Sequence, residues 1–244
     1  MKLTAVFFCL ILTILSQDTE AQVDDIEYNL WEQIYDFKIE NNRYFFMAWD
    51  TGEIIEEDTL LFDVNIFFSN YPAEYKPDYL DSVQFTIASR TLKKSYGEKI
   101  LHDKKNEFIR ICWLKENYQV ILKLEELKNE NIKISLKIGN GNYERHGNVL
   151  YDSMFYLSKK ESKKIQKLIN MEFYRDLKNG VICQDELHLP NVFFFEFIDG
   201  EEKNIIVISE CNLESSNYKD VFDLYVISKA IFMRKKVVPD YYWE

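Results

Sequence analysis

The chain has 244 residues, of which 47% are hydrophobic, 29% charged and 16% aromatic, with a formal net charge of −11. That composition excludes intrinsic disorder, and the acidic balance repels phosphate backbones, so nucleic acid is not an expected partner. The length suits one large domain.

Residues 1–21 read as a secretory signal. Lys2 is a short positive start, and Ala5 to Leu15 is an 11-residue apolar run, too short to span a bilayer. Thr19-Glu20-Ala21 offers a small-x-small cleavage site before Gln22. The expected location is therefore secreted or periplasmic after cleavage near Ala21. Residues 22–244 are expected to form a single soluble domain, with no stable membrane insertion of the mature chain.

Asp24 and Asp25 open a short helical pattern through Ile34. Tyr35, Phe37 and Ile39 then alternate, Glu40-Asn41-Asn42-Arg43 turns, and Tyr44 to Trp49 reads as an aromatic strand. Glu53, Glu56, Glu57 and Asp58 form an acidic cluster without the ligand spacing of a calcium loop, so it reads as a solvated loop. Leu60 to Phe68 and Ser82 to Thr91 are expected as strands, the first on Phe62, Val64 and Ile66, the second on Val83, Phe85 and Ile87. Between them, Pro72 and Pro77 mark a loop, and residues 93–105 read as a polar connector.

Phe108 to Leu114, Tyr118 to Leu124, Asn131 to Ile138 and Val149 to Leu157 are four more expected strands. In the third, Ile132, Ile134, Leu136 and Ile138 alternate with Lys133, Ser135 and Lys137, the mark of a half-buried antiparallel strand. Residues 22–157 thus read as mostly β, a meander of six to eight strands. Residues 158–244 read as helix, hairpin, helix. Ser158-Lys159-Lys160-Glu161 is a capping box opening a helix to about Leu177. Its lysine-rich outer face reads as solvated. Tyr218 to about Lys235 is a second, well-buried helix. The fold class is α+β, with helices on a mostly antiparallel sheet.

Between those helices, Val192 to Ile198 and Asn204 to Ser209 flank Asp199-Gly200, a strong hairpin signal. A two-residue loop at Asp199-Gly200 pairs Glu196 with Lys203. A four-residue loop, Asp199 to Glu202, pairs Phe193 with Ile208 and Phe195 with Ile206. Both strands are apolar on both faces, which predicts a central hairpin covered on each side.

Cleavage of the signal leaves Cys112, Cys183 and Cys211. Pairing Cys183 with Cys211 closes a loop of about 28 residues around the hairpin, worth roughly 3–4 kcal/mol. Cys112, in a strand pattern, is expected as an inert thiol. The three histidines show no metal-ligand spacing, and there is no CxxC, HExxH, GxSxG or phosphate-loop motif. No metal or cofactor is expected. Cys183 as nucleophile, His188 as base and Asp185 as orienter are the catalytic candidates, though nothing in their spacing requires a triad. The leading expectation is a non-catalytic module that binds or inhibits a protein partner. The alternatives are a carrier of an apolar ligand in an aromatic-lined barrel and a secreted hydrolase.

Overall fold

The structure, a computed structural model, describes residues 34–48, 50–71, 79–100, 108–115, 118–127, 131–140, 148–169, 171–180, 192–200, 202–213 and 215–235. The helix expected before Ile34 and the signal of residues 1–21 lie outside them. The chain divides after Thr59 into two compact units, each taken here by itself.

The first unit is a three-stranded antiparallel sheet, β1 (Ile34–Glu40), β2 (Arg43–Ala48) and β3 (Ile54–Thr59), in that order. Asn41 and Asn42 turn β1 into β2 with φ of 51° and 59°, left-handed values that asparagine tolerates better than most residues. The acidic cluster is not a loop. Glu56, Glu57 and Asp58 lie in β3, with Glu53 just before it, because the aromatic strand β2 offers partners: Phe45 pairs with Glu57 and Phe46 with Glu56. The Tyr44 hydroxyl donates to Glu56 at 2.6 Å, and Arg43 meets Glu57 at 3.1 Å.

The second unit opens with α1 (Val64–Ser69) and α2 (Tyr79–Lys94), where strands were expected. Asp63 caps α1 by accepting from the Asn65 N–H at 3.0 Å. In α2 the buried apolar residues among those described are Phe85, Ala88 and Leu92, a helical spacing, with Thr86, Ser89 and Thr91 buried beside them, and Phe85 stacks on Phe67 of α1 with ring centres 4.1 Å apart. The alternation of Val83, Phe85 and Ile87 spans too few residues to outweigh that longer period.

The four strands that follow lie close to their expected places: β4 (Phe108–Leu114), β5 (Tyr118–Glu126), β6 (Ile132–Asn140) and β7 (Val149–Tyr156). Then come α3 (Lys159–Gln166), α4 (Met171–Asp176), β8 (Val192–Asp199), β9 (Glu202–Ser209) and α5 (Lys219–Lys235). The helix expected over 159–177 is thus two short helices. The expected meander is also interrupted, since α1 and α2 separate β3 from β4. The α+β class stands, with helices on antiparallel sheets.

The C-terminal part is not a free-standing lobe. The second unit's sheet runs β7-β6-β5-β4-β8-β9, all antiparallel, so the hairpin completes the sheet that the meander begins. β8 is internal, but β9 is an edge, not a central strand. Phe193 faces Ile208 and Phe195 faces Ile206, the register of the longer loop. The ladder nevertheless continues to Asp199 and Glu202, and Gly200 takes the left-handed φ of 60° that the tight turn needs.

Both faces of β8 are covered. Phe193, Phe195 and Phe197 join the main core with Leu224, Tyr225 and Phe232 of α5, and Tyr174 of α4 meets Phe195 edge-on at 4.9 Å. On the opposite face Phe194 stacks on Phe62 at 5.5 Å. The capping box forms as read: the Ser158 side chain accepts from the Glu161 N–H, and the Glu161 carboxylate accepts from the Ser158 N–H at 2.9 Å. Lys235 of α5 reaches the same carboxylate at 2.6 Å.

Slight burial would raise the Glu161 pKa, but the hydrogen bonds from Lys235 and Ser158 outweigh it and bring it down to about 2. The capping contribution is therefore full above the ordinary carboxylate pKa of 4.5 and is lost as pH falls through about 2. Ser158→Ala is expected to cost about 1 kcal/mol, read as a lower urea midpoint at neutral pH. An unchanged midpoint would mean that the box contributes nothing to stability.

Candidate functional site

The antiparallel pleat sends alternate side chains to opposite faces. On β5, β6 and β7 one set enters the core with α5. The other set comprises Lys123 and Glu125, Lys133, Ser135 and Lys137, and Asp152, Met154 and Tyr156. Cross-strand register places Ser135 between Lys123 and Met154, and Lys137 beside Asp152. The segment after α2, Gly97 to Ile100, closes one side of this wet face. The result is a charged cleft of about 400 Å³.

Its floor is an ion network. Arg110 of β4 is fully buried, and its Nε donates to Glu196 of β8 at 2.8 Å while a terminal nitrogen approaches the same oxygen at 2.6 Å. The other terminal nitrogen donates to Glu98 at 3.3 Å and to the Lys99 carbonyl at 3.0 Å. The guanidinium carbon lies 5.1 Å from the centre of the Phe62 ring. Glu98 also accepts from Lys123 at 3.0 Å and from Lys137 at 3.2 Å. Three cations thus converge on one buried carboxylate.

Burial alone would raise the Glu98 pKa, but Lys123, Arg110 and Lys137 together outweigh it and hold the carboxyl below its ordinary range. Burial would likewise lower the Arg110 pKa, and its neighbours, Glu196 foremost and Glu98 with it, together outweigh that, so the guanidinium stays charged. Burial pushes the Tyr96 phenol up. Glu98 and Arg110 are thereby held charged, and the Tyr96 phenol is held neutral. The arrangement fixes charges in place and suits holding a ligand better than passing protons.

The cleft ends at β7, the outer strand of the sheet. Met154 is 51% exposed and Tyr156 59% exposed, and Val149 and Leu150 are also exposed. Asp152 has a side chain 59% exposed and lies 3.8 Å from Lys137. A strand edge that pairs with no described residue, with apolar side chains along it, therefore lies beside fixed charge. A second groove, about 670 Å³, runs between α3 and the end of α5 and is lined by Lys160, Lys163, Lys164, Lys167 and Arg234.

Cys183, Asp185 and His188 lie outside the described residues, as do His102 and His146. Cys211 follows β9 and is disulfide-bonded, and its partner lies outside the described residues. Cys112 is free and buried, and burial pushes its thiol up. That is the inert thiol its strand position implied. Among the described residues no group of three or more histidine, cysteine or carboxylate side chains is placed to hold a metal ion. Nor is any described helix long and apolar enough to cross a membrane.

The cleft was not foreseen from the sequence. Its one legible signal was a pair of opposite charges, Arg110 and Glu196, each set inside an otherwise apolar strand. A charge in such a run needs a buried counterion. No protein-family model matches this chain, and no curated protein is similar to it.

Proposed function

We propose that this is an exported, non-catalytic protein that binds or inhibits a protein partner through the β7 side of the sheet. The observation that carries the reading is the β7 edge, which no described strand pairs, with Met154 and Tyr156 exposed beside the charged cleft. Apolar side chains on an unpaired edge are a liability that folds ordinarily cover. Export accounts for the disulfide at Cys211, since such bonds persist in oxidising compartments. Cys183 is the partner we assign to it, and removal of residues 1–21 is the processing step.

The carrier alternative rested on a closed barrel. The sheet here is open, with β7 and β9 at its two ends, and α5 fills its aromatic face. The hydrolase alternative rests on Cys183, His188 and Asp185, and no described group favours it.

The test uses the purified mature protein as bait in the extracellular and envelope fractions of its own organism. A protein is expected to be retained by the wild type and lost by the double variant Met154→Lys, Tyr156→Lys. Recovery of the bait alone, or equal retention by both baits, overturns the reading.

A further inference from the structure

The two edges of the six-stranded sheet are treated differently. At β9 outward backbone groups of Ile205 and Val207 are satisfied. Asn70 Nδ2 donates to the Ile205 carbonyl at 2.8 Å, the Val207 N–H donates to Asn179 Oδ1 at 2.9 Å, and the Gly180 N–H donates to the Val207 carbonyl at 2.8 Å. In the first unit, the edge strand β3 carries Glu56, Glu57 and Asp58, charges of the kind that deter strand pairing. β7 has neither device. It holds no proline and no lysine, its one charge is Asp152, and among the described residues nothing bonds to its outer edge.

The direction of its backbone groups follows from the register. The Leu157 N–H donates to the Ile132 carbonyl at 2.8 Å. In an antiparallel ladder, alternate residues share that direction. Phe155, Ser153 and Tyr151 therefore turn their N–H and C=O groups toward β6. Tyr156, Met154 and Asp152 turn theirs outward. A register shift between Ile138 and Gly139 ends the regular ladder near Leu150 and bounds the free segment. The three residues with outward backbone groups also have exposed side chains, as do Val149 and Leu150 beyond the regular ladder.

We infer that β7 receives an extended segment of the partner protein as a seventh strand of this sheet. The inference rests on the protein-binding reading above and names its mode. The backbone groups of Asp152, Met154 and Tyr156 supply the hydrogen bonds, and the alternating side chains set the choice of sequence. The segment places apolar side chains against Met154 and Tyr156 and a lysine or arginine against Asp152. That cation also suits the net charge of −11. A second copy of this chain fits worse, because two such acidic molecules repel and the strand offers no cation to set against Asp152.

The probe is a series of short synthetic peptides of alternating apolar and polar residues, with Lys, Gln or Glu at the position facing Asp152. Amide hydrogen exchange of the full mature protein is followed as each is added. Exchange at Asp152, Met154 and Tyr156 is expected to slow about tenfold, with little change at Tyr151, Ser153 and Phe155, already bonded to β6. The Lys peptide is expected to bind about fivefold more tightly than the Glu peptide, and Asp152→Asn removes that difference. Met154→Pro deletes one outward N–H, and proline is tolerated at strand edges, so this variant folds and loses the peptide. If it misfolds, the same bond is removed by N-methylation of the peptide.

Binding without slowed exchange at the three amides, equal affinity for the Lys and Glu peptides, or self-association through this edge each overturns the inference. No binding by any peptide overturns it as well. A protein retained by the wild type and lost by the lysine variant, with these amides unchanged, leaves the binding function standing and removes strand addition alone.

Discussion

Arg110→Ala is expected to cost about 3–5 kcal/mol of folding stability, the penalty for stripping one partner from a buried ion cluster. The loss follows from the surroundings. Arg110 is fully buried, and both Glu98 and Glu196 are buried around it. With alanine there, Glu196 loses a cation at 2.6 Å, and Glu98 keeps only Lys123 and Lys137. Glu98 therefore loses part of what holds its pKa down. Its ionised form stabilises the fold fully above the ordinary carboxylate pKa, and that contribution is lost as pH falls through its depressed folded value. The acid midpoint of the variant should accordingly move to higher pH, and the urea midpoint should fall at neutral pH. The double variant Arg110→Met, Glu196→Leu is expected to recover most of the loss, because an apolar pair of similar volume needs no counterion. Equal urea midpoints for Arg110→Ala and the wild type would show that the cluster is not holding the sheet together.

Gly139→Ala is the second expected large effect, about 2–3 kcal/mol by the usual cost of overpacking. A Cβ at this position would lie 1.9 Å from Cε1 of Tyr96 and 2.5 Å from its Cζ. The Tyr96 ring lies against the bare backbone of β6, and its hydroxyl donates to the Asn140 carbonyl at 3.0 Å. A methyl group must push the ring away, break that bond and shift the segment that carries Glu98. Calorimetry of the single and double variants checks this. In a Tyr96→Ala background the glycine substitution is expected to be nearly neutral, and additive losses would refute the close approach as the cause.

The parts of the fold that the sequence made legible are local patterns. Strands β4 and β5 are long, nearly continuous apolar runs, and β6 alternates, setting four aliphatic side chains against Lys133, Ser135 and Lys137. The hairpin and the capping box announce themselves in Asp199-Gly200 and in Ser158 with Glu161. The region from Leu60 to Lys94 was misread because Phe62, Val64 and Ile66, like Val83, Phe85 and Ile87, satisfy a period of two over a few positions. The deciding residues, Ala88 and Leu92, lie further along. The cleft was harder still. Glu98, Arg110, Lys123, Lys137 and Glu196 are spread over almost 100 positions, and no local pattern brings them together. Glu98 reads as part of a polar connector and the lysines as an ordinary solvated face. Only the sheet order, which sets β8 beside β4, makes them neighbours.

That sheet order also governs how the molecule comes together. β4 pairs with β5 a few residues later, but its other side waits for β8, and Arg110 meets Glu196 across 86 positions of sequence. Loop closure over such a distance is slow. A chain emerging from its N-terminus holds four finished strands of this sheet with the Arg110 guanidinium still lacking Glu196, and that group is sealed only when the last fifth of the chain arrives. Fragments ending before Val192 would be held in this half-assembled condition, so the protein tolerates trimming at its far end far less than its strand count suggests.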